Sequence, residues 1–235
     1  MTSGGAALLP PLSLSSARVA FTGRAEGDMG HGGEFVFAVR PDVAERRRAV
    51  VDLPWTWLRQ VHGTGVVRVE HPGHHAGTPA DAAVTATPGC ALAVLTADCA
   101  PVALASPEGV IGVAHAGWRG VLSGVLEATV AEMRGLGASS TIHAVVGPCI
   151  RPPCYEFGPE QLDEVAARLG DGVRTTTAAG APALDLPGAV RAALAKAGVE
   201  GDHVHDVGTC TACSPGHFSW RARKEHQRQA AVVWR

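Results

Sequence analysis

Three side chains that bind soft or borderline metal ions lie next to apolar stretches of this sequence. His62 precedes a short apolar segment, Cys99 comes soon after the apolar run 91–95, and His115 directly follows the run 110–114. Short apolar runs bounded by turn residues are typical of buried strands. One thiolate and two imidazoles form an N, S, N ligand set, and three protein ligands leave a tetrahedral zinc ion one position for water or substrate. The pattern therefore predicts a catalytic metal site.

Two aspartates extend this candidate site, and Cys99 itself has two candidate roles. Asp98 precedes Cys99 directly, and Asp81 begins the predicted strand 81–85. Either carboxylate is a candidate general acid or base, or a partner that fixes the tautomer of a histidine ligand. Cys99 is a candidate ligand or, if His115 activates it, a candidate nucleophile. The residues alone leave these roles open.

Three arginines are candidates for binding phosphate, because a guanidinium matches the oxygens of phosphate in two parallel hydrogen bonds. Arg24 lies in the glycine-rich segment 23–33, Arg59 lies just before His62, and Arg119 lies in the glycine-bracketed segment that follows the second apolar run. Each arginine also fits an ordinary surface ion pair.

The remaining cysteines give a weaker signal. The chain has six cysteines, and Cys210 and Cys213 form a CxxC pair. A CxxC pair fits a redox pair, half of a zinc site or a tight turn, and the lack of a second pair in the sequence argues against a closed four-cysteine zinc site. We interpret Cys149, Cys154, Cys210 and Cys213 as structural residues.

The composition indicates one compact domain. With 235 residues, 46% of them apolar and 18% charged, the chain can bury a large core. The formal net charge of −2 gives no basic excess for a phosphate backbone, so nucleic-acid binding is not expected. The sequence has no apolar span of membrane length and no good export signal, so we expect a cytoplasmic protein without membrane contact. Monomer and homodimer both stay open.

The predicted elements favour an α+β fold, a single domain of mixed β-sheets flanked by helices. Helices are predicted over 121–133 and 160–169 from the 3.6-residue period of their apolar positions, and a third helix is predicted to start near Asp185. Strands outnumber these helices and alternate with them irregularly; one strand candidate is 34–39.

Several boundaries follow from turn residues and composition. Residues 1–17 are predicted to be disordered or loosely packed, and 18–235 to form the catalytic domain. Pro101 is interpreted as a break after the central strand. The segments 218–221 and 230–234 are predicted to form a final hairpin or strand pair.

The motifs Thr96-Ala97-Asp98-Cys99 and His115-Ala116-Gly117-Trp118-Arg119-Gly120 are highly specific in combination. Around them, in chain order, occur Gln60-Val61-His62-Gly63, Ala80-Asp81-Ala82, Gly147-Pro148, Cys154-Tyr155-Glu156, Cys210-Thr211 and Phe218-Ser219. Together they resemble the YfiH or laccase-domain family, also called the polyphenol oxidase or purine nucleoside phosphorylase family and, in one branch, peptidoglycan editing factor. The resemblance covers about residues 18–235.

This resemblance implies a zinc-dependent enzyme whose partners are purine nucleosides and phosphate. The implied reactions are phosphorolysis of adenosine, inosine, guanosine and methylthioadenosine, and deamination of adenosine to inosine. The resemblance assigns the three metal ligands to His62, Cys99 and His115. It also implies a fold like the catalytic domain of a bacterial toxin deamidase, in which a cysteine and a histidine act together.

Three alternatives stay open. One is a Cys–His amide hydrolase that edits a peptidoglycan precursor, with Cys99 as nucleophile. Another is a copper phenol oxidase, but Met1, Met29 and Met133 lie far in sequence from the candidate ligands, so none is placed as the weak axial ligand of a blue-copper centre. The last is a non-enzymatic binding protein stabilised by its metal, which a fourth protein ligand would favour.

Overall fold

The structure is a computed structural model, and it describes residues 11–30 and 40–235. The described strands are β1 Leu12–Leu14, β2 Ala17–Phe21, β3 Trp55–Trp57, β4 Val66–Arg68, β5 Ala82–Thr85, β6 Ala91–Thr96, β7 Ala100–Ala105, β8 Ile111–Ala116, β9 His143–Val146, β10 Arg174–Thr176, β11 Pro182–Leu184, β12 Val204–Asp206 and β13 Gln229–Trp234. The described α-helices are α1 Pro41–Val50, α2 Trp118–Ser123, α3 Val125–Gly135, α4 Pro159–Leu169, α5 Leu186–Lys196 and α6 Trp220–Arg223.

Most strands belong to two large sheets. The five-stranded sheet has the order β1-β2-β13-β6-β3, and the six-stranded sheet has the order β12-β9-β7-β8-β5-β4; β10 and β11 form a small third sheet. Three pairs, β3–β6, β4–β5 and β9–β12, are parallel, and the other pairs in the two large sheets are antiparallel. These mixed sheets in a single domain confirm the predicted α+β class.

The two large sheets pack face to face, and the two-residue period of each strand decides which side chains lie between them. On β6, Leu92 and Val94 share one buried cluster with Val113 of β8 and Val145 of β9. The opposite face of the six-stranded sheet is covered by α2, α3, α4 and α5. Because both faces of β6 and β8 are buried, these strands consist mainly of consecutive apolar residues.

The prediction for the N-terminus needs a correction. Leu12–Leu14 form β1 instead of a loosely packed segment, because the strand pairs with β2 and buries Leu14 against the sheet. Residues 1–10 and the predicted strand 34–39 lie outside the described residues. Within the ranges 11–30 and 40–235, no helix is long and apolar enough to cross a membrane.

The predicted break after the central strand is present, since β6 ends at Thr96 and β7 begins at Ala100, but Pro101 does not form it. Pro101 is the second residue of β7, a central strand that pairs with β8 and β9. Its carbonyl accepts a hydrogen bond from Gly147 N at 2.9 Å, just beyond the end of β9. The missing N–H of proline therefore falls where the neighbouring strand has ended, which is a place where a strand tolerates proline.

The predicted helix 121–133 is interrupted. The chain forms α2 and α3 instead, and Gly124 between them has φ 101°, a left-handed conformation that favours glycine. The helix predicted near Asp185 is α5, and the Asp185 side chain caps it by accepting from Gly188 N at 3.0 Å.

The predicted C-terminal hairpin is also wrong. Trp220–Arg223 form the short helix α6, and the Ser219 hydroxyl caps it by accepting from Ala222 N. The last strand, β13, pairs with β2 and β6, which are distant in sequence. Its apolar residues are therefore buried in the middle of the five-stranded sheet.

Candidate metal centre

The two crossings from the five-stranded to the six-stranded sheet each carry a candidate ligand. His62 lies in the connection from β3 to β4, and Cys99 lies in the connection from β6 to β7. His115 lies near the end of β8, in the same alternating row as Ile111 and Val113, which face the five-stranded sheet. The topology thus brings three residues that are far apart in sequence to one end of the sheet sandwich.

The three side chains form one group. Their ligand atoms all lie within 4.8 Å of one another. Cys99 Sγ is 3.8 Å from His62 Nε2, and the rings of His62 and His115 meet edge to face with centroids 4.8 Å apart. Zinc bonds of usual length place a sulfur and a nitrogen donor about 3.5 Å apart around a tetrahedral ion. Donor types and spacing therefore fit a zinc ion.

This group is open on one side. His115 is only 3% exposed and Cys99 is half-buried, whereas His62 is exposed. Among residues 11–30 and 40–235, no fourth histidine, cysteine or carboxylate belongs to the group. A small molecule can therefore reach the group from the His62 side.

Asp81 holds both histidines. Its fully buried carboxylate lies 2.9 Å from His115 Nδ1, and it accepts from the backbone N–H of His62 at 2.9 Å and of Gly63 at 2.7 Å. Burial alone would raise the pKa of Asp81, but the hydrogen bonds from His115 and Gly63 lower it below its ordinary value. An ionised carboxylate only accepts, so Nδ1 of His115 carries a proton and Nε2 is the nitrogen left to bind a metal.

In the metal-free site, Cys99 and His115 stabilise each other's charged forms. Burial alone would raise the pKa of Cys99, but the neighbouring His115 and His62 lower it to about 6. Burial alone would lower the pKa of His115, but Cys99 and Asp81 raise it to about 9. The pair is therefore a thiolate and an imidazolium at neutral pH. The thiolate is the form of cysteine that binds metals and attacks electrophiles.

Gly117 leaves room for the ligands. A Cβ atom at Gly117 would lie 2.9 Å from His62 Cδ2 and 3.0 Å from Cys99 Sγ. The φ of Gly117 is −72°, so its backbone conformation suits any residue, and only the close approach of the ligands requires glycine.

The backbone is strained at two positions of the site. His62 has φ 59° and Asp98 has φ 145°, and both values are unusual for residues other than glycine. Such conformations persist only where surrounding contacts hold them, and they are concentrated at functional sites. The Asp81 carboxylate supplies such a contact for His62, because it accepts the backbone N–H of His62.

Asp98 joins the loop of Cys99 to the C-terminal part of the chain. Its carboxylate accepts from Thr211 Oγ1 at 2.7 Å, Ser219 Oγ at 2.8 Å and the backbone N–H of Arg221 at 2.7 Å. These three donors give Asp98 a positioning role, and a role as general acid or base stays a prediction. Thr211 and Ser219 belong to the motifs Cys210-Thr211 and Phe218-Ser219, but nothing in these motifs indicates a contact with Asp98.

The candidate phosphate residue Arg24 is already engaged. Its guanidinium pairs with Glu225, lies 4.7 Å from the ring centre of Phe218, and donates to His217 O at 3.2 Å. These contacts connect the segment after β2 to the segment before β13. They favour a structural role for Arg24.

The other two arginines are exposed. Arg59 donates its backbone N–H to Thr78 O at 3.0 Å, next to the loop of His62. The guanidinium of Arg119 lies 4.6 Å from the ring centre of Trp118, and that ring packs edge to face on Phe157. Trp118 is thus a packed residue that supports Arg119, and phosphate binding by Arg59 and Arg119 stays a prediction.

A cavity near Asp98 was not anticipated from the sequence. Its volume is about 490 Å³, and Cys154, Glu156 and Arg221 are among its lining residues. Arg221 also places its guanidinium 5.0 Å from the ring centre of Tyr155. Burial raises the pKa of Tyr155 and the charge of Cys99 adds to this effect, so the phenol lies within electrostatic reach of the metal centre.

Two known proteins with related sequences carry the name purine nucleoside phosphorylase. A protein named purine nucleoside phosphorylase from Streptomyces griseus is 47% identical over 182 residues, which are 76% of this chain and 73% of that protein. A protein with the same name from Streptomyces coelicolor is 44% identical over 181 residues, or 76% of this chain and 74% of the relative.

Solved structures with the same fold support this relationship. YlmD from Geobacillus stearothermophilus has a TM-score of 0.77 and 30% identity, and the match covers 93% of this chain and 91% of YlmD. The hypothetical protein YfiH from Bacillus licheniformis has a TM-score of 0.78, and the match covers 93% of this chain and 92% of the YfiH chain. Its sequence identity is 24%, so this likeness shows the shared fold alone.

A family model described as "Multi-copper polyphenol oxidoreductase laccase" matches residues 34–235. The match includes all three candidate metal ligands and the Asp98 loop. The expected resemblance is thereby confirmed: this chain belongs to the laccase-domain family that includes YfiH.

Proposed function

We propose that this protein is a zinc-dependent purine nucleoside enzyme. The proposed reactions are phosphorolysis of adenosine, inosine, guanosine and methylthioadenosine, and deamination of adenosine to inosine. The observation that carries the proposal is the open group of His62, Cys99 and His115, oriented by Asp81, in a chain whose relatives are named purine nucleoside phosphorylase. Residues 18–235 would form the catalytic domain.

Both reactions need an electrophilic centre to be activated in a fixed position. In phosphorolysis, a phosphate oxygen bonds to C1′ of the ribose while the C1′–N9 bond breaks, and the purine leaves with a proton. In deamination, a water oxygen adds to C6 of adenine and ammonia leaves. A zinc ion bound at the centre supplies Lewis acidity toward oxygen.

The protein's own residues position the reactants. Asp81 keeps His115 in one tautomer and holds the backbone of His62, so two donors stay in place when substrate enters. Arg119 is exposed and follows His115 closely in the sequence. It is the proposed contact to phosphate. Trp220 donates its backbone N–H to Ala97 O at 3.1 Å, so it lies beside the Cys99 loop. Because Trp220 is 44% exposed, its ring is the proposed contact to the purine.

The test begins with metal analysis of the purified protein, followed by incubation with adenosine in the presence and absence of phosphate. Adenine that forms only with phosphate reports phosphorolysis, and inosine reports deamination. Copper in place of zinc would change the proposed cofactor. The proposal would be refuted if folded, zinc-loaded protein formed neither adenine nor inosine.

A second function is favoured by the grouping of Cys99 with His115, which has Asp81 hydrogen-bonded behind it. The neighbouring histidines also lower the pKa of Cys99 to about 6. This arrangement also suits a Cys–His amide hydrolase acting on a peptidoglycan precursor. In that mechanism Cys99 Sγ bonds to the amide carbonyl carbon, His115 gives its proton to the leaving amine, and water releases the acyl group. Cys99→Ser separates the two functions. Loss of the ion held by His62 and His115 together with turnover indicates that Cys99 is a ligand, and retention of that ion with lost turnover indicates a nucleophile.

A further inference from the structure

A second group of sulfur atoms lies apart from the N, S, N centre. The thiols of Cys154, Cys210 and Cys213 all lie within 4.8 Å of one another, and Cys154 Sγ is 2.8 Å from Cys213 Sγ. Cys154 ends the short turn Pro152–Cys154, whereas the other two form the CxxC pair beyond β12. Two segments that are distant in sequence thus bring three thiols together.

The backbone that carries these thiols is firmly held. Thr211, between the two cysteines of the CxxC pair, is fully buried and donates its backbone N–H to Cys149 O at 3.0 Å. The guanidinium of Arg223 donates to Thr211 O at 3.1 Å and to Ala212 O at 2.9 Å. The site is therefore preorganised in the folded protein and does not depend on a flexible loop.

The number of thiols argues for a metal ion. A disulfide needs two cysteines, whereas here a third, Cys210, converges on the same point. Thiolate ligands select zinc and other thiophilic cations.

We propose that Cys154, Cys210 and Cys213 bind one thiophilic metal ion of the zinc class, at a second site distinct from the N, S, N centre. The site is linked to that centre through Thr211, whose hydroxyl donates to Asp98 beside Cys99. A metal ion here fixes the segment from Cys210 to Arg221, which supplies all three donors to Asp98. The ion is therefore structural, and it holds the wall of the catalytic centre.

The experiment uses the full chain with Cys99→Ser, which removes the thiolate of the N, S, N centre. The reduced variant is loaded with Zn²⁺, desalted and analysed for bound zinc. We expect about one zinc ion per chain, and we expect Cys213→Ser added to this variant to weaken binding about 100-fold or more, because a thiolate ligand is lost. Co²⁺ should give thiolate-to-cobalt absorption in the first variant and lose most of it in the second.

Cys90→Ala is the matched control, since Cys90 is buried in the core between the sheets. Added to Cys99→Ser, it should leave the zinc content unchanged. If Cys213→Ser does not fold, Cys154→Ser replaces it. The proposal is overturned if Cys99→Ser takes up no zinc, if Cys213→Ser or Cys154→Ser leaves its zinc content unchanged, or if mass spectrometry finds a Cys154–Cys213 disulfide that persists in the reduced, zinc-loaded protein.

Discussion

Nδ1 of His115 lies 2.9 Å from Oδ1 of Asp81, and this carboxylate is completely buried. The same side chain accepts the backbone N–H groups of Val61, His62 and Gly63, so one residue orients both His115 on β8 and His62 in the β3–β4 connection. Asp81 is therefore the residue that orients both histidines of the candidate centre.

Asp81→Asn is expected to weaken zinc binding about 10- to 100-fold, because an amide no longer fixes the tautomer of His115. Competition with a chelator measures the affinity. Asp202→Asn, at an exposed position, is the control and should bind zinc like the unaltered protein. Equal affinity in Asp81→Asn and the control would refute the orienting role.

Gly117→Ala is expected to weaken zinc binding about tenfold or more, because overpacking costs about 1–3 kcal/mol and the added methyl group meets His62 and Cys99. Gly201→Ala is the matched control, since a Cβ there meets no atom within 4 Å. Zinc titration together with thermal unfolding separates a local effect from a general loss of stability. If both variants bind zinc equally well, the ligands are not packed against Gly117.

The pKa of Cys99 predicts how the metal-free protein reacts with iodoacetamide. Because that pKa is lowered to about 6, alkylation of Cys99 should stay fast as the pH falls from 8 and should decline only below about pH 6. Peptide mass spectrometry after timed alkylation measures the rate at this residue. His115→Gln removes the main positive neighbour of Cys99. In this variant, the midpoint pH of Cys99 alkylation should therefore move up toward the pKa of an ordinary thiol, about 8.5. An unchanged midpoint would contradict the thiolate–imidazolium pair.

Arg119→Ala is expected to raise the KM for phosphate about tenfold in phosphorolysis, because a charge-assisted contact to phosphate is lost. Deamination of adenosine uses no phosphate and should keep its rate in the same variant. Arg24→Ala serves for comparison, since that guanidinium is already paired with Glu225. An equal loss of both activities in Arg119→Ala would indicate a structural role.

The proximity of the candidate ligands could be predicted in large part from the sequence, because they follow buried strands. The apolar runs before Cys99 and His115 lie in β6 and β8, and strands end where polar residues can reach one edge of a sheet. From the sequence, orienting a histidine is only one of several roles open to Asp81. Choosing among them required the pairing of β5 with β8, which depends on the whole sheet.

Other features depend on tertiary contacts that leave no local pattern. Pro101 lies inside β7 because β9 ends beside it, and Gly124 divides the predicted helix through a left-handed backbone. The meeting of Cys154 with the CxxC pair joins segments on either side of α4 and α5, so spacing alone could not reveal it.

The central claim is that His62, Cys99 and His115 hold one metal ion and leave it accessible to substrate. Anomalous diffraction at the zinc absorption edge, from crystals of the zinc-loaded protein, tests it most directly. The account predicts a peak in bonding distance of His62 Nε2, Cys99 Sγ and His115 Nε2, with no fourth protein ligand. A zinc-loaded crystal without a peak among these atoms, or with a fourth side chain bound to the ion, would contradict it.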